Sequence, residues 1–287
     1  MDWADRMRAA IDYIEDHLRG ELSYKQAAKA AGCPNYHFQR MFAFLAEVTL
    51  SEYIRRRRLT LAAFELQQSH QSVIDVALAY GYQSHAAFTR AFRELHGMLP
   101  TAARQPGARL KAYPRLSFQM TVQGRTEMSY RIERKPGFAA AGFRHDVCMD
   151  QAYTQVPKLW QKASQDGRGA QLIDLLRDCG RHAPHAVLGV LSGGDWGRED
   201  AFSYTLAVPY EREAPEGMTE MQIPGHLWVI FEPAGLADFA ATWQRLYTEW
   251  LPTSDYVLAD VPAIECYYPS GHDPQHELWI PIDTKGR

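Results

Sequence analysis

The apolar residues of the first hundred positions recur every three or four residues, which is the spacing of one buried face along an α-helix. This pattern predicts helix-turn-helix units at residues 24–45 and 73–96, with one uninterrupted helix from Leu50 to Gln68 between them. An earlier amphipathic helix is predicted over residues 2–19, and its apolar stripe consists of Trp3, Met7, Ile11, Ile14 and Leu18. The N-terminal part of the chain is therefore predicted to be entirely helical.

Each predicted unit has a glycine turn followed by a second helix. In the later unit Gly81 makes the turn, because glycine adopts a positive φ at little cost, and Ser84 caps the next helix. Gly97 marks the end of that helix. In the earlier unit Gly32 makes the turn and Pro34 opens the second helix, since proline is tolerated in a first helical turn. The two units start about 49 residues apart, which predicts an internal duplication.

The helix between the units has the length of a rigid spacer. At 1.5 Å per residue, roughly 15–18 helical residues span about 23–27 Å. Successive major grooves on one face of B-DNA lie about 34 Å apart. We therefore predict that a single chain can place two helices in adjacent grooves of a duplex.

Beyond the helices, the pattern changes to strands that alternate with helices. Residues 107–127 are predicted to be a linker and a leading strand, in which apolar and polar residues alternate. From residue 128 a second duplication appears, because Pro136-Gly137 and Pro224-Gly225 each precede a strand, a helix and two further strands. The alternating apolar residues of the leading strand are Leu116, Phe118, Met120 and Val122.

These patterns predict a fold of the class α plus α+β with two domains. Residues 1–106 form an all-helical double helix-turn-helix domain, and residues 128–287 form a duplicated strand-helix-strand-strand domain. The two halves of the second domain are expected to pair about a pseudo-twofold axis, with helices on one face of the sheet and a groove on the other.

Charge separates the two predicted domains. The chain of 287 residues has a net charge of −3, but residues 23–110 contain 11 Lys and Arg against 5 Asp and Glu. The N-terminal half is therefore basic and suited to contact phosphate groups, whereas the C-terminal half is acidic and suited to a different partner. The sequence has no apolar run of 18 residues, no signal-peptide pattern and only four widely spaced cysteines. We therefore expect no membrane span, no disulfide framework and a cytoplasmic location.

The later helix-turn-helix unit resembles the C-terminal signature of the AraC/XylS family of transcription regulators. The earlier unit resembles its counterpart in that family through Tyr53 to Arg58, although Glu47 stands where the family often has a glycine. Ala103 stands where an aromatic residue is usual. The resemblance implies DNA binding by both units. The residues that match in the later unit are Ile74, Val76 or Ala77, Gly81-Tyr82, Phe88, Arg90, Phe92, Gly97, Pro100 and Arg104.

Three segments of the C-terminal half, IPGHLWVIFEPAG, AIECYYPSG and HELWIPID, resemble the GyrI-like effector-binding domain, which is attached to some AraC-family members. A histidine, His276, replaces the threonine that usually precedes the glutamate in the last of these segments. The resemblance implies a small-molecule groove in residues 128–287. Together the two resemblances cover nearly the whole chain except the linker.

The first resemblance implies that polar side chains of the two recognition helices face DNA. Arginine pairs with guanine, and glutamine with adenine, through two hydrogen bonds in the major groove. A solvated polar face is the alternative for each residue. In the run Arg55–Arg58 phosphate contact is expected from one or two arginines, and pairing with carboxylates of the chain is the alternative. The candidate DNA-binding residues are Tyr36, His37, Gln39, Arg40, Arg55, His85, Ala86, Thr89 and Arg90.

Two glutamates carry the candidate effector site. The period of two along a strand places Glu265 with Tyr267, and Glu277 with Trp279, on common faces. A carboxylate beside an aromatic ring favours a flat cation, through charge and cation–π attraction. An exposed sheet edge is the alternative for both glutamates. The candidate ligand-binding residues for an aromatic or cationic effector are Glu265, Glu277, Trp228, Tyr267 and Trp279.

The sequence lacks the signatures of catalysis and metal binding. No nucleophile elbow, H-E-x-x-H motif or phosphate-binding glycine loop occurs, and His272 and His276 complete no metal-ligand spacing around Glu277. We expect no metal, no cofactor and no catalytic residue. The predicted function is a ligand-responsive DNA-binding transcription regulator, with double-stranded DNA, a small-molecule effector and RNA polymerase as partners. The alternatives are a small-molecule hydrolase or sequestration module that uses a groove glutamate, and a structural DNA-binding protein.

Overall fold

The structure is a computed structural model that describes residues 2–117, 127–178, 183–193 and 200–285. The chain forms two compact units. The first comprises Met1–Ala31 and Ala46–Met120, and the second comprises Gly32–Leu45 and Thr121–Arg287. The second helix of the earlier helix-turn-helix therefore belongs to the same unit as the C-terminal part of the chain.

Helices form the N-terminal part, as predicted, and several begin at a side-chain cap. The Asp2 carboxylate accepts a hydrogen bond from the Asp5 amide at 2.7 Å, and the Ser84 hydroxyl accepts one from the Ala87 amide at 3.2 Å. Both caps satisfy an amide of the first turn that has no partner within the helix. The helices are α1 (Trp3–Asp16), α2 (Tyr24–Ala31), α3 (Asn35–Ala46), α4 (Leu50–Gln68), α5 (Val73–Ala79) and α6 (His85–His96).

The core of the first unit lies between α4 and the later helix-turn-helix. Leu59 of α4 packs in one buried cluster with Phe88 and Phe92, which lie four residues apart on the buried side of α6. Glu47, which follows α3, adopts a φ of +55°, the left-handed conformation that glycine adopts more readily. The AraC family often has a glycine at this position, where the same conformation costs less.

Part of the predicted linker belongs to the first unit. The Tyr113 amide donates to the Thr60 hydroxyl at 3.1 Å, and the Tyr113 carbonyl accepts from Arg57 Nη1 at 2.7 Å. Leu110 and Tyr113 also pack against the core that α4 and α6 share. The first unit thus extends past residue 106, and the predicted leading strand from Phe118 to Val122 lies outside the described residues.

We expect the glycine of the later turn to be harder to replace than the glycine that ends α6. Gly81 and Gly97 both have a positive φ, but only at Gly81 would an added Cβ overlap another group, the Arg58 guanidinium. Arg58 donates to the carbonyls of Leu18 and Gly20, so moving it breaks two hydrogen bonds. Gly81→Ala should lower the free energy of unfolding by about 2 kcal/mol, and Gly97→Ala by about 1 kcal/mol.

Urea unfolding followed by helical circular dichroism measures both losses in the full chain. Equal losses for the two variants would show that the left-handed backbone alone accounts for the cost, and that the Arg58 contact adds nothing.

The second unit is built on a sheet in which every described strand pair is antiparallel. The order is β1-β6-β9-β8-β3-β4-β2-β5, and β7 pairs with β9. The helices of this unit, besides α3, are α7 (Ala152–Gln165), α8 (Arg168–Leu175) and α9 (Asp238–Arg245), which continues through a π-helical turn at Leu246–Trp250. The strands are β1 (Tyr130–Lys135), β2 (Phe138–Cys148), β3 (Val187–Gly193), β4 (Ala201–Pro209), β5 (Thr219–Ile223), β6 (His226–Phe231), β7 (Tyr256–Leu258), β8 (Ala263–Tyr267) and β9 (His276–Thr284).

The predicted duplication is confirmed by the order of the strands. The strands β3 and β8 pair at the centre of the sheet, and β3-β4-β2 on one side corresponds to β8-β9-β6 on the other. The edge strand on each side comes from the other half of the domain: β5 pairs with β2, and β1 pairs with β6. The Pro-Gly turns correspond as well, because an added Cβ at Gly137 would lie 2.8 Å from the Gly225 amide nitrogen. The two halves therefore meet where glycine alone leaves room for the backbone.

Candidate effector site and DNA-reading helices

The candidate DNA-reading residues of α6 lie on its exposed face. His85, Ala86 and Arg90 are exposed and Thr89 is partly buried, while the opposite side of the helix packs into the core. An open depression on this face is lined by His85, Ala86, Thr89, Arg90, Arg93, Glu94 and Leu99. The predicted exposure of this face is confirmed, and its contact with DNA stays a prediction.

The corresponding residues of α3 are buried, so the predicted exposure of this helix is wrong. Tyr36 is 5% exposed, and His37 and Gln39 are each 2% exposed. Arg40 is partly buried. The sequence shows that these side chains share a polar stripe, but it does not show that aromatic residues more than 100 positions away cover that stripe.

The buried face of α3 packs on aromatic side chains of the second unit. The Tyr36 ring lies 5.0 Å from the Phe202 ring of β4, measured between centroids. His37 Nδ1 lies 3.0 Å from the Tyr247 hydroxyl, within hydrogen-bond distance. These contacts join α3 to one strand of the sheet and to the helix that follows β6.

Phe44 extends the same packing toward α7. Its ring lies 5.9 Å from the Tyr153 ring and 5.9 Å from the Tyr247 ring. The helix is therefore held along about two turns, from Tyr36 to Phe44, by aromatic contacts of the second unit.

Arg40 places a positive charge inside this aromatic surface. Its guanidinium carbon lies 3.9 Å from the centre of the Trp243 ring, and Nη1 donates to the Tyr36 hydroxyl at 2.6 Å. No carboxylate of the described chain lies within 4.0 Å of the guanidinium, and its Nε is buried without a hydrogen-bond partner. Burial alone would lower the pKa of Arg40, but the surrounding phenols and the Glu265 carboxylate raise it, so the side chain stays charged.

Glu265 is a buried carboxylate held by neutral donors. The hydroxyls of Tyr204 and Tyr267 donate to Oε2 at 2.9 and 3.0 Å, and Trp243 Nε1 donates to Oε1 at 3.0 Å. Trp160 Nε1 donates in turn to the Tyr204 hydroxyl at 2.9 Å. We call Glu265, Tyr204, Tyr267, Trp160 and Trp243 the Glu265 cluster. Burial raises the pKa of both tyrosines well above the usual value, so their hydroxyls remain donors.

The other predicted ligand glutamate lies on the opposite face of the sheet. In the register of β8 and β9, Glu265 pairs with Leu278 and Cys266 pairs with Glu277. Directly paired residues share a face and neighbours along a strand do not, so the two glutamates point apart. Glu265 shares a face with Tyr267, and Glu277 shares a face with Trp279, as predicted. The two pairs cannot form one site, because they lie on opposite faces of the sheet.

Glu277 already has a cationic partner on its own face. Its Oε1 accepts from Arg131, and its Oε2 accepts from Tyr268 at 2.7 Å and from Trp279 Nε1 at 2.8 Å. Trp228 and Trp279 pack together there, with ring centroids 5.8 Å apart, in a buried core cluster. The set of five predicted ligand residues is therefore divided into Glu265 with Tyr267 and Glu277 with the two tryptophans.

The arginine run of α4 is engaged within the first unit. Arg55 Nε donates to Glu52 at 2.7 Å, and Arg57 Nη2 donates to Glu15 at 2.6 Å. Burial alone would raise the pKa of Glu15, but the hydrogen bonds from Arg57 and Tyr53 lower it below its ordinary value. The structure thus shows the carboxylate pairing that was the alternative to phosphate contact.

Two regions of the chain match models of known protein families. Residues 128–283 match the model of the GyrI-like small molecule binding domain, and residues 27–106 match that of a helix-turn-helix domain. The chain belongs to the GyrI-like family and carries an AraC-type helix-turn-helix domain. It is a ligand-responsive, DNA-binding transcription regulator.

The chain is similar to other bacterial proteins over different shares of its length. The regulatory protein SoxS of Salmonella typhimurium is 37% identical over 98 residues, which cover 34% of this chain and 92% of SoxS. YbfP of Bacillus subtilis, an HTH-type transcriptional regulator, is 29% identical over 142 residues, which cover 50% of this chain and 44% of YbfP. A bacterial transcription regulation protein from Staphylococcus aureus MU50 is 18% identical with a TM-score of 0.43, and the match covers 55% of this chain and 99% of that one.

Sequence reasoning missed three members of the Glu265 cluster in the GyrI-like regulator. These residues are Tyr204 of β4, Trp160 of α7 and Trp243 of α9, and each donates a hydrogen bond to another member of the cluster. No spacing in the sequence connects them to Glu265. The one local signal is Gly189, which pairs with Glu265 across β3 and β8 and leaves room for the Tyr204 ring.

Two further properties of the GyrI-like regulator concern only the part of the chain that is described. No helix there is both long and apolar enough to cross a membrane. No group of three or more His, Cys, Asp or Glu side chains there is placed to hold a metal ion.

Acidification is expected to loosen the packing of α3 in the GyrI-like regulator. Burial, with a smaller contribution from the Arg40 charge, lowers the pKa of His37 from 6.5 to about 3. The packed state favours neutral His37, so its stability is fully present above pH 6.5 and falls as the pH drops below that value. Opening of α3 should be about ten times more frequent at pH 5.5 than at pH 7.5.

Hydrogen exchange of the α3 amides, corrected for the intrinsic effect of pH, measures this opening. The titratable or charged groups that face His37 are Arg40 and Tyr36 on α3 and Tyr247 beyond α9. His37→Gln is the matched control, because the amide does not titrate and its opening should not change between the two pH values. An equal response in wild type and in His37→Gln would show that another group carries the effect.

Proposed function

We propose that the second unit of this regulator binds a small aromatic cation at the Glu265 cluster. The observation that carries the proposal is the buried Glu265 carboxylate, whose hydrogen-bond donors Tyr204, Tyr267 and Trp243 are all neutral. Such donors stabilise the carboxylate but do not cancel its charge, and the negative potential acts over a longer distance in a poorly solvated site. Aromatic rings beside the carboxylate add the cation–π attraction that favours an organic cation carrying aromatic groups.

Binding without turnover fits this site better than hydrolysis. A general base must be able to accept a proton from a water or substrate within hydrogen-bond reach. Both oxygens of Glu265 already accept hydrogen bonds from members of the cluster, and Glu277 is paired with Arg131. We therefore propose an effector-binding domain with no catalytic role for either glutamate.

Titration of the full chain with tetraphenylphosphonium tests the proposal. This probe surrounds one positive charge with four aromatic rings, and triphenylphosphine oxide is a neutral compound of related shape. Calorimetry should give saturable binding of one cation per chain and at least tenfold weaker binding of the neutral compound. Mass spectrometry should recover the cation unchanged. Equal affinities would contradict recognition of charge, and a new product would support the hydrolase instead.

For DNA, we propose that α3 and α6 enter neighbouring major grooves. The proposal is supported by the exposed polar face of α6 and by the duplication of the helix-turn-helix in the sequence. Contact of Arg55 with phosphate requires it to exchange its Glu52 partner. RNA polymerase is a further proposed partner, and a cytoplasmic location is proposed because a regulator must share a compartment with its DNA. The DNA-reading residues of this proposal are Tyr36, His37, Gln39, Arg40, His85, Ala86, Thr89 and Arg90.

Arg90→Ala is expected to weaken binding to a specific duplex by about 1–3 kcal/mol, because a base contact of arginine is worth about that much. The duplex is selected from a random pool with the full chain, and fluorescence anisotropy gives the affinities. Arg8→Ala is the control, since Arg8 is exposed on α1 and is paired with Asp5. If Arg90→Ala keeps the same sequence preference and only the salt dependence changes, then Arg90 contacts phosphate and reads no base.

A further inference from the structure

The helix α3 occupies the place that the effector is proposed to take. The Arg40 guanidinium lies over the Trp243 ring, and the Nε1 of that same ring donates to Glu265. An organic cation bound by Glu265 and Trp243 would need the same ring face. Arg40 therefore supplies, from within the chain, the cation that the cluster is built to hold.

The neighbours of Arg40 on α3 supply the aromatic part of such a ligand. Tyr36 packs on Phe202, and Phe44 packs between Tyr153 and Tyr247. The Arg40 charge also acts on the Tyr153 phenol, because it offsets part of the rise that burial causes in the pKa of that hydroxyl. Charge and rings together thus imitate an aromatic cation, and all of them lie on a helix that the sequence assigns to DNA reading.

We infer that α3 is an internal competitor of the effector, so that an effector bound at the Glu265 cluster releases α3 for DNA. This inference rests on the proposed function, because it uses the same site and the same class of ligand. In the packed state Tyr36, His37 and Gln39 are buried and cannot reach bases. The state that binds the effector and the state that binds DNA are then the same state, with α3 released.

Thermodynamic linkage predicts that the effector and DNA strengthen each other's binding to the chain. If the packed state is favoured by a factor K, the apparent affinities for DNA and for the effector are each reduced by a factor of about 1 + K. Each ligand then strengthens the other by up to that factor, and the coupling is reciprocal. A substitution that loosens the packing without touching either binding face should therefore raise both affinities.

Phe44→Ala and Tyr153→Ala are the variants that loosen the packing. Each removes aromatic contacts between α3 and the rest of the second unit, and neither residue is among the proposed DNA-reading residues or the Glu265 cluster. We expect each to raise the affinity of the full chain for the selected duplex, in the absence of any cation, by about three- to tenfold. Ile173→Ala on α8 is the matched control, since it removes an exposed apolar side chain elsewhere in the unit and should change nothing.

Two further measurements keep the inference testable if those variants fold poorly. Tyr153→Phe keeps the ring and removes only the phenol hydroxyl on which the Arg40 charge acts, and it should raise the duplex affinity by a smaller factor in the same direction. In the wild-type chain, saturating tetraphenylphosphonium should increase hydrogen exchange of the α3 amides and tighten duplex binding. Arg40→Ala should bind tetraphenylphosphonium more tightly than wild type, because the ring face of Trp243 becomes free.

The outcomes separate this inference from the function on which it rests. If the cation binds through Glu265 but α3 stays protected and the loosening variants do not tighten duplex binding, internal competition is overturned and the effector site stands. If the cation does not bind while Phe44→Ala and Tyr153→Ala still tighten duplex binding, the proposed class of effector fails and the restraint of α3 stands. A loss of duplex affinity in both loosening variants would also overturn the inference.

Discussion

Replacing Glu265 with glutamine is expected to weaken the binding of tetraphenylphosphonium by about a hundredfold, or about 2.7 kcal/mol. The glutamine keeps the size of the side chain but removes the negative charge. It also presents an amide group to the donors Tyr204, Tyr267 and Trp243, which leaves at least one of them without an acceptor. Isothermal titration of the full chain measures the change.

Two other glutamates serve as controls for that experiment. Glu232→Gln removes a half-exposed carboxylate that pairs with Arg131, and it should leave cation binding within about twofold of wild type. Glu277→Gln should also leave cation binding unchanged, because Glu277 faces the other side of the sheet. Weaker binding in Glu277→Gln than in Glu265→Gln would move the effector site to the opposite face.

The second large effect is expected at Gly189, the residue that pairs with Glu265 across β3 and β8. A Cβ at this position would overlap the hydroxyl of Tyr204 and lie 3.2 Å from Glu265 Oε2. Tyr204 is fully buried, so its ring cannot move without disturbing the core. Gly189→Ala should lower the free energy of unfolding by about 3 kcal/mol, at the upper end of overpacking costs, and weaken cation binding as well.

Gly193→Ala is the matched control, because Gly193 lies at the end of the same strand and an added Cβ there meets no atom of the described residues within 4 Å. Denaturant unfolding of both variants, followed by tryptophan fluorescence, compares their stabilities. If Gly189→Ala is as stable as Gly193→Ala, then the Tyr204 hydroxyl is not fixed against Glu265 as the structure indicates, and the cluster has room to rearrange.

Much of the fold could be predicted because its signals are local. The helix Leu50–Gln68 was predicted with the bounds that the structure shows, since its pattern is uninterrupted and Thr49 caps its first turn. The turn glycines Gly32, Gly81 and Gly97 all adopt a positive φ. The Pro-Gly turns at Gly137 and Gly225 marked the two halves of the sheet domain, because a duplicated chain repeats its turn chemistry at corresponding positions.

The candidate effector site was only partly predictable, because its members come from separate elements. The period of two along a strand correctly placed Tyr267 beside Glu265 and Trp279 beside Glu277. It could not fix the register between β8 and β9, and a shift of one residue would reverse which side chains share a face. Tyr204, Trp160 and Trp243 reach Glu265 only because the folded sheet and its helices bring distant segments together.

By itself, the sequence determined the double helix-turn-helix, the duplicated sheet domain and the residue types of both proposed binding surfaces. Periodicity and turn chemistry act over a few residues, so they can be read without knowing the fold. Only the tertiary structure decided that α6 exposes its polar face while α3 buries its own, since the two helices have similar patterns. Burial depends on what packs against a helix, and for α3 that is an aromatic surface more than 100 residues away in the chain.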